Sequence, residues 1–435
     1  MGTVPTGVEE AAREEISAKL RPAAVHSTMG KVFMETAAPL EEVTALRAVD
    51  RLFLLALHHP SPNYPAEDSL VAAFKAWVVS ETIDWPAILD VWQKAYHAHL
   101  RPPEVAPASG FGYYPDTPCR RWDSRYAYAN SGISFAVSCT RTGLRTKSLT
   151  SKQIAQHAAD VAAECELWRA EFGWKVDLEQ PALSIAIYAT DDHFIVGIPL
   201  LESQVAKREH IRGKGLRCSI AYAMCRAAGV ANGSVILDPM CGRGTTLLEG
   251  AVDWPDAHYI GGDLDDTTLE YARINAERLR ESSLPGLSLS LFKWDATRLP
   301  LRDRSVDVVV SDVPYGKRHG SKEDNRRLYP HLLEEFARVL RPGGRVVLLT
   351  TLTRIMEGAF ATHKWTTLPR RALINNGGLN TYLFVATRKE DPRDGGDDDG
   401  LSNRERKRRR ARAWHAAQAL EAATATATAA EPSSG

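Results

Sequence analysis

The sequence predicts an α/β protein in which a doubly wound, seven-stranded sheet follows two smaller α/β units. Three observations support this prediction. After Leu200, short β-branched runs alternate with amphipathic helical stretches, a glycine-rich turn follows the first of these runs, and three runs end on an aspartate. Parallel strands joined by helices are covered on both faces, so their sequences are apolar throughout.

Composition narrows the possible functions. The 435 residues suffice for two or three domains, and the 54 basic residues balance the 54 acidic ones, so a nucleic-acid surface has to be a local patch. The six cysteines form no CxxC pair, and we therefore expect neither a metal site nor a disulfide framework. No long apolar window and no signal-peptide core are present, so we expect no membrane segment and a cytoplasmic or nuclear location.

Residues 1–100 are predicted to form an N-terminal unit with a helical extension. The order helix, strand, helix, strand suits a ferredoxin-like unit. These elements are expected at 9–22, at 30–35 and, as a helix followed by a strand, within 41–58. The stretch 70–100 is predicted to be helical with a break at Trp85-Pro86, and the Pro-, Gly- and Tyr-rich stretch 101–131 is predicted to be a linker.

A second unit is predicted at 132–203, in the order strand, basic loop, helix, strand, strand. The strands are expected at 133–139, 183–188 and 194–198. The helix is expected at 151–172, with Thr150 or Ser151 as its N-cap, because its apolar residues recur at helical spacing.

The alternating pattern at 204–389 predicts the large sheet. Strands are expected at 234–238, 258–263, 287–292, 306–312 and 343–350, followed by a final pair near 366–374 and 380–387. Helices are expected near 215–228, 244–253, 266–281, 325–340 and 352–361. The tail 390–435, with an acidic run and the basic run 404–412, is of low complexity, and we expect it to be disordered.

The turn after the first of these strands predicts a ligand site. Gly242 and Gly244 allow the backbone to approach a ligand closely. A dinucleotide fingerprint would need a third glycine where Leu247 stands, and no Lys-Ser/Thr follows as in a phosphate-binding loop. Asp263 ends the next strand at the right distance to bind ribose hydroxyls, while Asp238 before the glycines favours a cationic ligand such as S-adenosylmethionine (SAM) over a pyrophosphate.

Asp295 follows the third strand, where a carboxylate could accept a hydrogen bond from an adenine amino group or could cap the following turn. Cys241 is interpreted as a small loop residue, because a cytosine C5 methyltransferase would need a thiol near the fourth strand.

The fourth strand ends in Asp312-Val313-Pro314-Tyr315, which suits an exocyclic amine on a nucleobase. Such an amine is a poor nucleophile because its lone pair is delocalised into the ring. Acceptors at the Asp312 carboxylate and the Val313 carbonyl would bind its two N–H groups, and Tyr315 would stack on the base. The gain is in positioning and in the placement of charge.

Three basic runs lie beside loops, which suggests a surface that follows phosphates. The predicted RNA-binding residues are Arg141, Arg145, Lys147, Lys152, Lys207, Arg208, Arg212, Lys317 and Arg318.

Several stretches together resemble the THUMP-domain-containing tRNA guanosine-N2 methyltransferase family, and most of all its eukaryotic THUMP domain-containing protein three branch. They are FAVSCTRTG (135–143), ILDPMCGRGTTLLEGA (236–251), SDVPYGKRHGSKEDNRRLYP (311–330) and NNGGLNTYLFVATR (375–388). The resemblance covers about residues 9–388. It implies a class I SAM-dependent methyltransferase domain of Rossmann-like fold at 204–389 and a THUMP RNA-binding domain at 132–203.

The resemblance also implies roles for individual residues. Asp312, Pro314 and Tyr315 fall on the catalytic motif, although Val313 stands where many amine methyltransferases have proline. The positions that match cofactor contacts are Leu216, Arg217, Asp238, Gly242, Gly244, Asp263 and Asp295. The implied reaction is methylation of N2 of an acceptor-stem guanosine in tRNA, at position 6, and the implied partner is a small zinc-binding activator subunit.

Alternative functions stay open at this point. The chain could methylate guanine N2 in another RNA, such as a small nuclear RNA. An adenine-N6 DNA methyltransferase or a glutamine methyltransferase shares the Asp/Asn-x-Pro-Tyr logic, but neither needs the unit at 132–203. A noncatalytic RNA-binding THUMP protein is a further alternative, which the intact Asp238, Asp263 and Asp312 disfavour.

Overall fold

The computed structural model describes most of the chain, and the statements below concern that part. The described residues are 1–60, 83–99, 134–143, 150–153, 155–156, 160, 173–179, 181–201, 208–213, 215–315, 322–361, 365 and 370–389. Within them, no helix has the length and apolar character needed to cross a membrane. The predicted linker 101–131 and tail 390–435 lie outside them, as does most of the helix expected at 151–172.

The order of the helices and strands largely follows the prediction. Up to residue 205 they are β1 (Gly2–Thr3), α1 (Glu9–Leu20), β2 (Ala24–Thr28), β3 (Lys31–Glu35), α2 (Leu40–Thr44), β4 (Arg51–Pro60), α3 (Trp85–His99), β5 (Ser134–Arg141), β6 (Lys175–Val176), β7 (Leu183–Ala189) and β8 (His193–Pro199). After residue 205 they are α4 (Cys218–Ala228), β9 (Val235–Asp238), α5 (Thr245–Asp253), β10 (His258–Asp263), α6 (Asp266–Ser282), β11 (Leu289–Lys293), β12 (Val306–Asp312), α7 (Lys322–Val339), β13 (Leu340–Thr350), α8 (Thr353–Ala361), β14 (Arg370–Asn376) and β15 (Leu379–Thr387).

The chain forms two compact units. The first comprises residues 1–2, 39–44 and the described residues of 51–205, and the second comprises 3–38, 45–50 and the described residues of 206–435. This division differs from the predicted boundaries, which assign residues 1–100 to one N-terminal domain.

Buried ion pairs explain why residues 3–50 largely belong with the second unit. The Glu249 carboxylate, which has no exposed surface, pairs with Arg47 at 2.8 Å and with Arg208 at 3.2 Å. The backbone N–H groups of Arg47 and Ala48 donate in turn to the buried carboxylate of Glu15 on α1. Charges taken out of water have to be paired, so these contacts fix the N-terminal segment on the large sheet's unit.

The first unit contains a five-stranded arrangement in the order β4-β8-β7-β5-β6. β5 runs parallel to β6 and β7, while β8 is antiparallel to both β4 and β7. Its core contains Trp85, Trp174 and Phe135, and the Trp85 and Trp174 rings meet edge to face with centroids 5.9 Å apart. The expected N-cap is present, because Thr150 Oγ1 accepts from the Gln153 N–H at 3.2 Å and Gln153 Oε1 accepts from the Thr150 N–H at 2.8 Å.

The second unit contains the predicted doubly wound sheet, in the order β11-β10-β9-β12-β13-β15-β14. The first five strands are parallel, and β15 is antiparallel to both β13 and β14. The strand order reverses between β9 and β12, and ligands bind at such a switch point, beside the carboxyl ends of the strands. Asp238, Asp263 and Asp312 are the last residues of β9, β10 and β12, so all three lie at this edge.

Candidate active site

A cleft of about 920 Å³ opens at the carboxyl edge of the large sheet. Eight of the ten predicted catalytic and cofactor residues line it: Leu216, Asp238, Gly242, Asp263, Asp295, Asp312, Pro314 and Tyr315. Its volume is in the upper part of the range for small-molecule sites, and it therefore has room for more than one ligand group.

The turn between β9 and α5 forms one wall of the cleft. Gly242 and Gly244 both adopt positive φ angles, 51° and 79°, a conformation that glycine adopts without strain. The Gly242 N–H donates to Asp263 Oδ2 at 2.9 Å, so the carboxylate of β10 holds this turn. In the described part of the chain, no atom lies within 4 Å of the point where a Cβ of Gly242 would stand, so the space above the turn is open.

Asp238 is almost fully buried at the base of this turn. Its Oδ1 accepts from the Ser311 hydroxyl at 2.8 Å and from the Met240 N–H at 3.3 Å. Burial raises the pKa of Asp238 to about 7, against the lowering effect of those two donors, and the nearby carboxylates of Asp263 and Asp312 add to the rise. A cation bound in the cleft would therefore favour the ionised form of this carboxyl.

Asp295 caps the following turn and also lies on the cleft. Its Oδ1 accepts from the Thr297 N–H at 2.9 Å and from the Thr297 hydroxyl at 2.7 Å, so the residue caps the following turn. These donors, the backbone N–H first, lower the pKa of Asp295. The residue also lines the cleft. The neighbouring Trp294 fixes the wall, because its Nε1 donates to the Pro239 carbonyl at 3.0 Å.

The segment 312–315 faces the glycine turn across the cleft. The Val313 N–H donates to the Leu349 carbonyl at 3.1 Å, which continues the β12–β13 pairing past Asp312. The Tyr315 hydroxyl donates to Asp312 Oδ1. Burial raises the pKa of the Asp312 carboxyl to about 7, although the Tyr315 donor lowers it. This carboxylate can therefore accept a proton near neutral pH.

Three buried residues that the sequence did not single out hold this segment in place. The Pro314 carbonyl accepts from Asn325 Nδ2 at 3.0 Å and from the Tyr329 hydroxyl at 2.7 Å. The Tyr329 hydroxyl also bonds to Thr350 Oγ1 at 2.8 Å. Because all three side chains are inaccessible to solvent, the backbone after Asp312 has one well-defined position.

Two predicted cofactor residues do not line the cleft. Gly244 is the N-cap of α5, and a Cβ there would contact Ala272 at 3.4 Å. Arg217 is the N-cap of α4, and its guanidinium pairs with Asp50 at 2.8 Å. Asp50 also accepts from the Ser219 hydroxyl at 2.6 Å. Both residues therefore shape the backbone beside the cleft rather than its surface.

The predicted RNA-binding residues separate into three groups. Arg145, Lys147, Lys207, Lys317 and Arg318 lie outside the described residues. Lys152 and Arg212 are exposed, and Arg141 is half-buried at the end of β5. Arg208 does not fit the predicted role, because its side chain is only 10% exposed and is paired with the buried Glu249.

Cys241 fits the interpretation as a loop residue. Burial raises the pKa of its thiol far above the ordinary value, and the neighbouring carboxylates of Asp238 and Asp263 raise it further. A thiol in such surroundings is a weak nucleophile.

Comparisons with known proteins agree with this geometry. Residues 206–379 match the RMKL-like methyltransferase domain family. The chain is 38% identical to the bovine (Bos taurus) U6 snRNA (guanine-N2)-methyltransferase THUMPD2, over 50% of this chain and 41% of that protein. It is 27% identical to the bovine tRNA (guanine(6)-N2)-methyltransferase THUMP3, over 89% of this chain and 87% of that protein.

Two bacterial comparisons extend this similarity. The tRNA (guanine(6)-N2)-methyltransferase of Thermus thermophilus is 32% identical, over 58% of this chain and 72% of that protein. The crystal structure of TrmN from Thermus thermophilus superimposes with a TM-score of 0.64 at 25% identity, and covers 89% of this chain and 98% of that one. The large sheet therefore has the class I methyltransferase fold that the sequence predicts.

Proposed function

Because this chain belongs to the RNA guanine-N2 methyltransferase family, we propose that it transfers a methyl group from SAM to the exocyclic N2 of a guanosine in tRNA. One observation carries the proposal. The glycine turn with Asp238 and Asp263 lines the same cleft as Asp312, Pro314 and Tyr315. A donor pocket and an amine-binding segment therefore share one space.

The residues on the glycine-turn side fit SAM. This cofactor, when bound, supplies an electrophilic methyl group on a sulfonium cation. The open space at Gly242 admits a ligand close to the backbone. Each oxygen of the Asp263 carboxylate accepts one backbone N–H, Oδ2 from Gly242 and Oδ1 from Asp265. The remaining lone pairs of both oxygens can accept from ribose hydroxyls. Asp238 contributes negative charge near the cation.

On the opposite side of the cleft, residues 312–315 bind and orient the amine that receives the methyl group. Asp312 accepts one N–H of guanine N2, and the Val313 carbonyl accepts the other. Together they orient the nitrogen lone pair toward the methyl group. The amine loses a proton as the new N–C bond forms, and Asp312, with a pKa near neutral, is placed to receive it. Tyr315 provides an aromatic face for the flipped base while its hydroxyl holds Asp312.

The proposed RNA is tRNA, and the proposed target is its acceptor-stem guanosine at position 6. The names of the THUMP3 and Thermus relatives give tRNA as the substrate and guanine 6 as the methylated base. The THUMPD2 similarity supports a second candidate, a U6 small nuclear RNA. Transfer of labelled methyl groups from SAM to purified tRNA and to U6 RNA, in parallel, tests the proposal. Efficient labelling of tRNA is expected, whereas labelling of U6 RNA alone would contradict it.

We also propose a small zinc-binding subunit as partner. Its support is the exposed apolar edge of the sheet, where Phe292 on the edge strand β11 is 46% exposed and Ile274 on α6 is 41% exposed. An uncovered strand edge with apolar side chains favours association. If co-expressed candidate subunits fail to co-elute with the chain in size-exclusion chromatography, this part of the proposal is wrong.

The rate of methyl transfer is expected to rise with pH through about pH 7. Only the ionised carboxylate of Asp312 can accept an N–H of the amine and then take up the proton that the amine loses. Burial raises the pKa of this carboxyl to about 7. Single-turnover rates from about pH 5.5 to about pH 8.5 should therefore increase and then level off. Tyr315→Phe removes the donor that lowers this pKa but keeps the aromatic ring, so its profile should shift to higher pH. If the pH profile of Tyr315→Phe does not shift, the group that titrates near pH 7 is not Asp312.

Tyr329→Phe is expected to lower kcat about tenfold, because the Pro314 carbonyl loses one of its two donors and the segment 312–315 becomes less well positioned. SAM affinity should be unchanged. Tyr259→Phe is the matched control, since its buried hydroxyl also donates to a backbone carbonyl, that of Trp254 at 2.9 Å, and Trp254, unlike Pro314, does not line the cleft. Equal losses of kcat in the two variants would indicate a general effect of stability.

A further inference from the structure

The residues just before α4 form a second wall on the cofactor side of the cleft. They are the described residues 209–213 and 215–216, which we call the lead-in segment. Gly215 and Leu216 line the cleft, and so does Arg243 at the centre of the glycine turn. The separation between the lead-in segment and the glycine turn therefore sets the space that a cofactor can occupy.

The side chain of Arg243 connects these two walls to α6. Its Nη1 donates to the Arg212 carbonyl at 3.3 Å. Its guanidinium also stacks on the Tyr271 ring of α6, 3.8 Å from the ring centroid. Gly213 has a positive φ of 86°, and a Cβ there would overlap the Arg243 guanidinium. Glycine therefore permits the close approach of the lead-in segment to the glycine turn.

Asn275 on α6 joins the same two walls by a second route. Its side chain has no exposed surface. Its Oδ1 accepts from the Arg212 N–H at 2.9 Å, and its Nδ2 donates to the Arg243 carbonyl at 3.0 Å. These partners are 63 and 32 residues away in sequence, so no local element of the backbone holds them together. One planar carboxamide therefore fixes a peptide group of each wall.

The effect of Asn275 on a ligand has to be indirect. Asn275 is not among the described residues that line the cleft, whereas Arg243 is. Without the carboxamide, the Arg212 N–H and the Arg243 carbonyl lose a partner, and the two walls are free to shift. The start of the lead-in segment stays attached to α6, because Arg278 Nη2 donates to the Glu209 carbonyl at 2.6 Å. The loss of Asn275 should therefore loosen the cofactor wall without detaching the segment.

We propose that Asn275 is a positioning residue for the cofactor, which holds the lead-in segment and the glycine turn at the separation that SAM needs. The assignment rests on the proposed function, which puts SAM on this side of the cleft. A preformed site binds more tightly because its walls lose little freedom on binding. The amine is bound by residues 312–315 on the opposite side, so the chemical step should depend little on Asn275.

Asn275→Ala is expected to raise the Kd of SAM and of S-adenosylhomocysteine about tenfold, as measured by calorimetric titration. The two compounds should be affected equally, because they differ only in the methyl group. In methyl transfer to tRNA, KM for SAM should rise about tenfold, while kcat at saturating SAM should stay within about twofold of the wild type. An unchanged Kd, or a loss confined to kcat, would overturn the assignment.

Asn275→Asp tests the two hydrogen bonds themselves. The substitution keeps the shape of the side chain, and a protonated carboxyl can both accept from the Arg212 N–H and donate to the Arg243 carbonyl. An ionised carboxylate can only accept. Relative to the wild type at the same pH, this variant should bind SAM nearly normally at about pH 5.5 and weaken toward Asn275→Ala by about pH 8.5. A ratio of affinities that does not change with pH would contradict the proposal.

Leu279→Ala is the control for stability. Leu279 is buried one turn further along α6 and is not among the described residues that line the cleft. The cavity that it leaves should lower the melting temperature at least as much as Asn275→Ala does, but SAM affinity should be kept. Equal weakening of SAM binding in the two variants would overturn the assignment and leave the proposed function standing. If the wild type binds no SAM, the proposed function itself fails, and the assignment fails with it.

Discussion

Asp312→Ala is expected to reduce methyl transfer to RNA by about 10²- to 10⁴-fold while SAM binding is largely kept. Asp312 is the side chain that meets the amine, whereas the glycine turn is held by Asp263 and by the Gly262 carbonyl. The variant therefore removes the acceptor and the proton-accepting group at the amine without removing an acceptor that holds the turn. Single-turnover rates measure the first effect, and calorimetric titration with SAM measures the second.

The control for this variant is Asp303→Ala, which removes an exposed carboxylate that pairs with Arg338 and does not line the cleft. Its activity should match that of the wild type. Asp312→Asn adds a finer comparison, because the amide keeps one acceptor oxygen but cannot take up a proton, so its rate should no longer rise through about pH 7. If Asp312→Ala retains full activity, the assignment of Asp312 is wrong.

Glu249→Ala is expected to lower the free energy of unfolding by about 3–5 kcal/mol. The substitution leaves Arg47 and Arg208, each with a side chain only 10% exposed, without their buried counter-charge. Unfolding by urea, followed by tryptophan fluorescence, measures the loss. Because Arg47 belongs to the N-terminal segment, limited proteolysis should also cleave residues 3–50 faster in this variant.

Glu270→Ala is the matched control for the ion pair. Glu270 pairs with Arg273 on the surface of α6, where the two side chains are 63% and 51% exposed, and water screens their attraction. Its loss should cost less than about 1 kcal/mol. Similar effects of the two substitutions would show that the buried pair does not hold the N-terminal segment.

The large sheet could be predicted closely from the sequence. Strands expected at 258–263 and 306–312 are present with those bounds, and the helix expected at 266–281 is Asp266–Ser282. These strands are buried on both faces, so apolar β-branched runs identify them. β2 was missed, because its five residues AVHST are short and only partly buried, and they carry no such signal.

The grouping of residues 3–38 and 45–50 with the large sheet could not be predicted, because it depends on pairs far apart in sequence. Arg47 and Glu249 are separated by 202 residues, and no local pattern links an arginine to a glutamate at that distance. The same dependence on distant residues explains why Arg208 was predicted to be an RNA-binding residue. A basic run normally forms a solvated face, but here one of its members turns inward to a buried acid.

The candidate site was predicted in the aspartates that end its strands but not in the side chains that support it. Asp238, Asp263 and Asp312 could be found because each ends a recognisable strand. Asn325 and Tyr329 act on a backbone carbonyl from a helix, and a sequence does not show which carbonyl a helix will reach.

The most direct test of the central claim is nucleoside mass spectrometry of tRNA after incubation with the chain and SAM. The site geometry and the family predict N2-methylguanosine, mapped to the acceptor stem at position 6, and its absence with the Asp312→Ala variant. N6-methyladenosine, or a methylated guanosine that persists with that variant, would contradict the account.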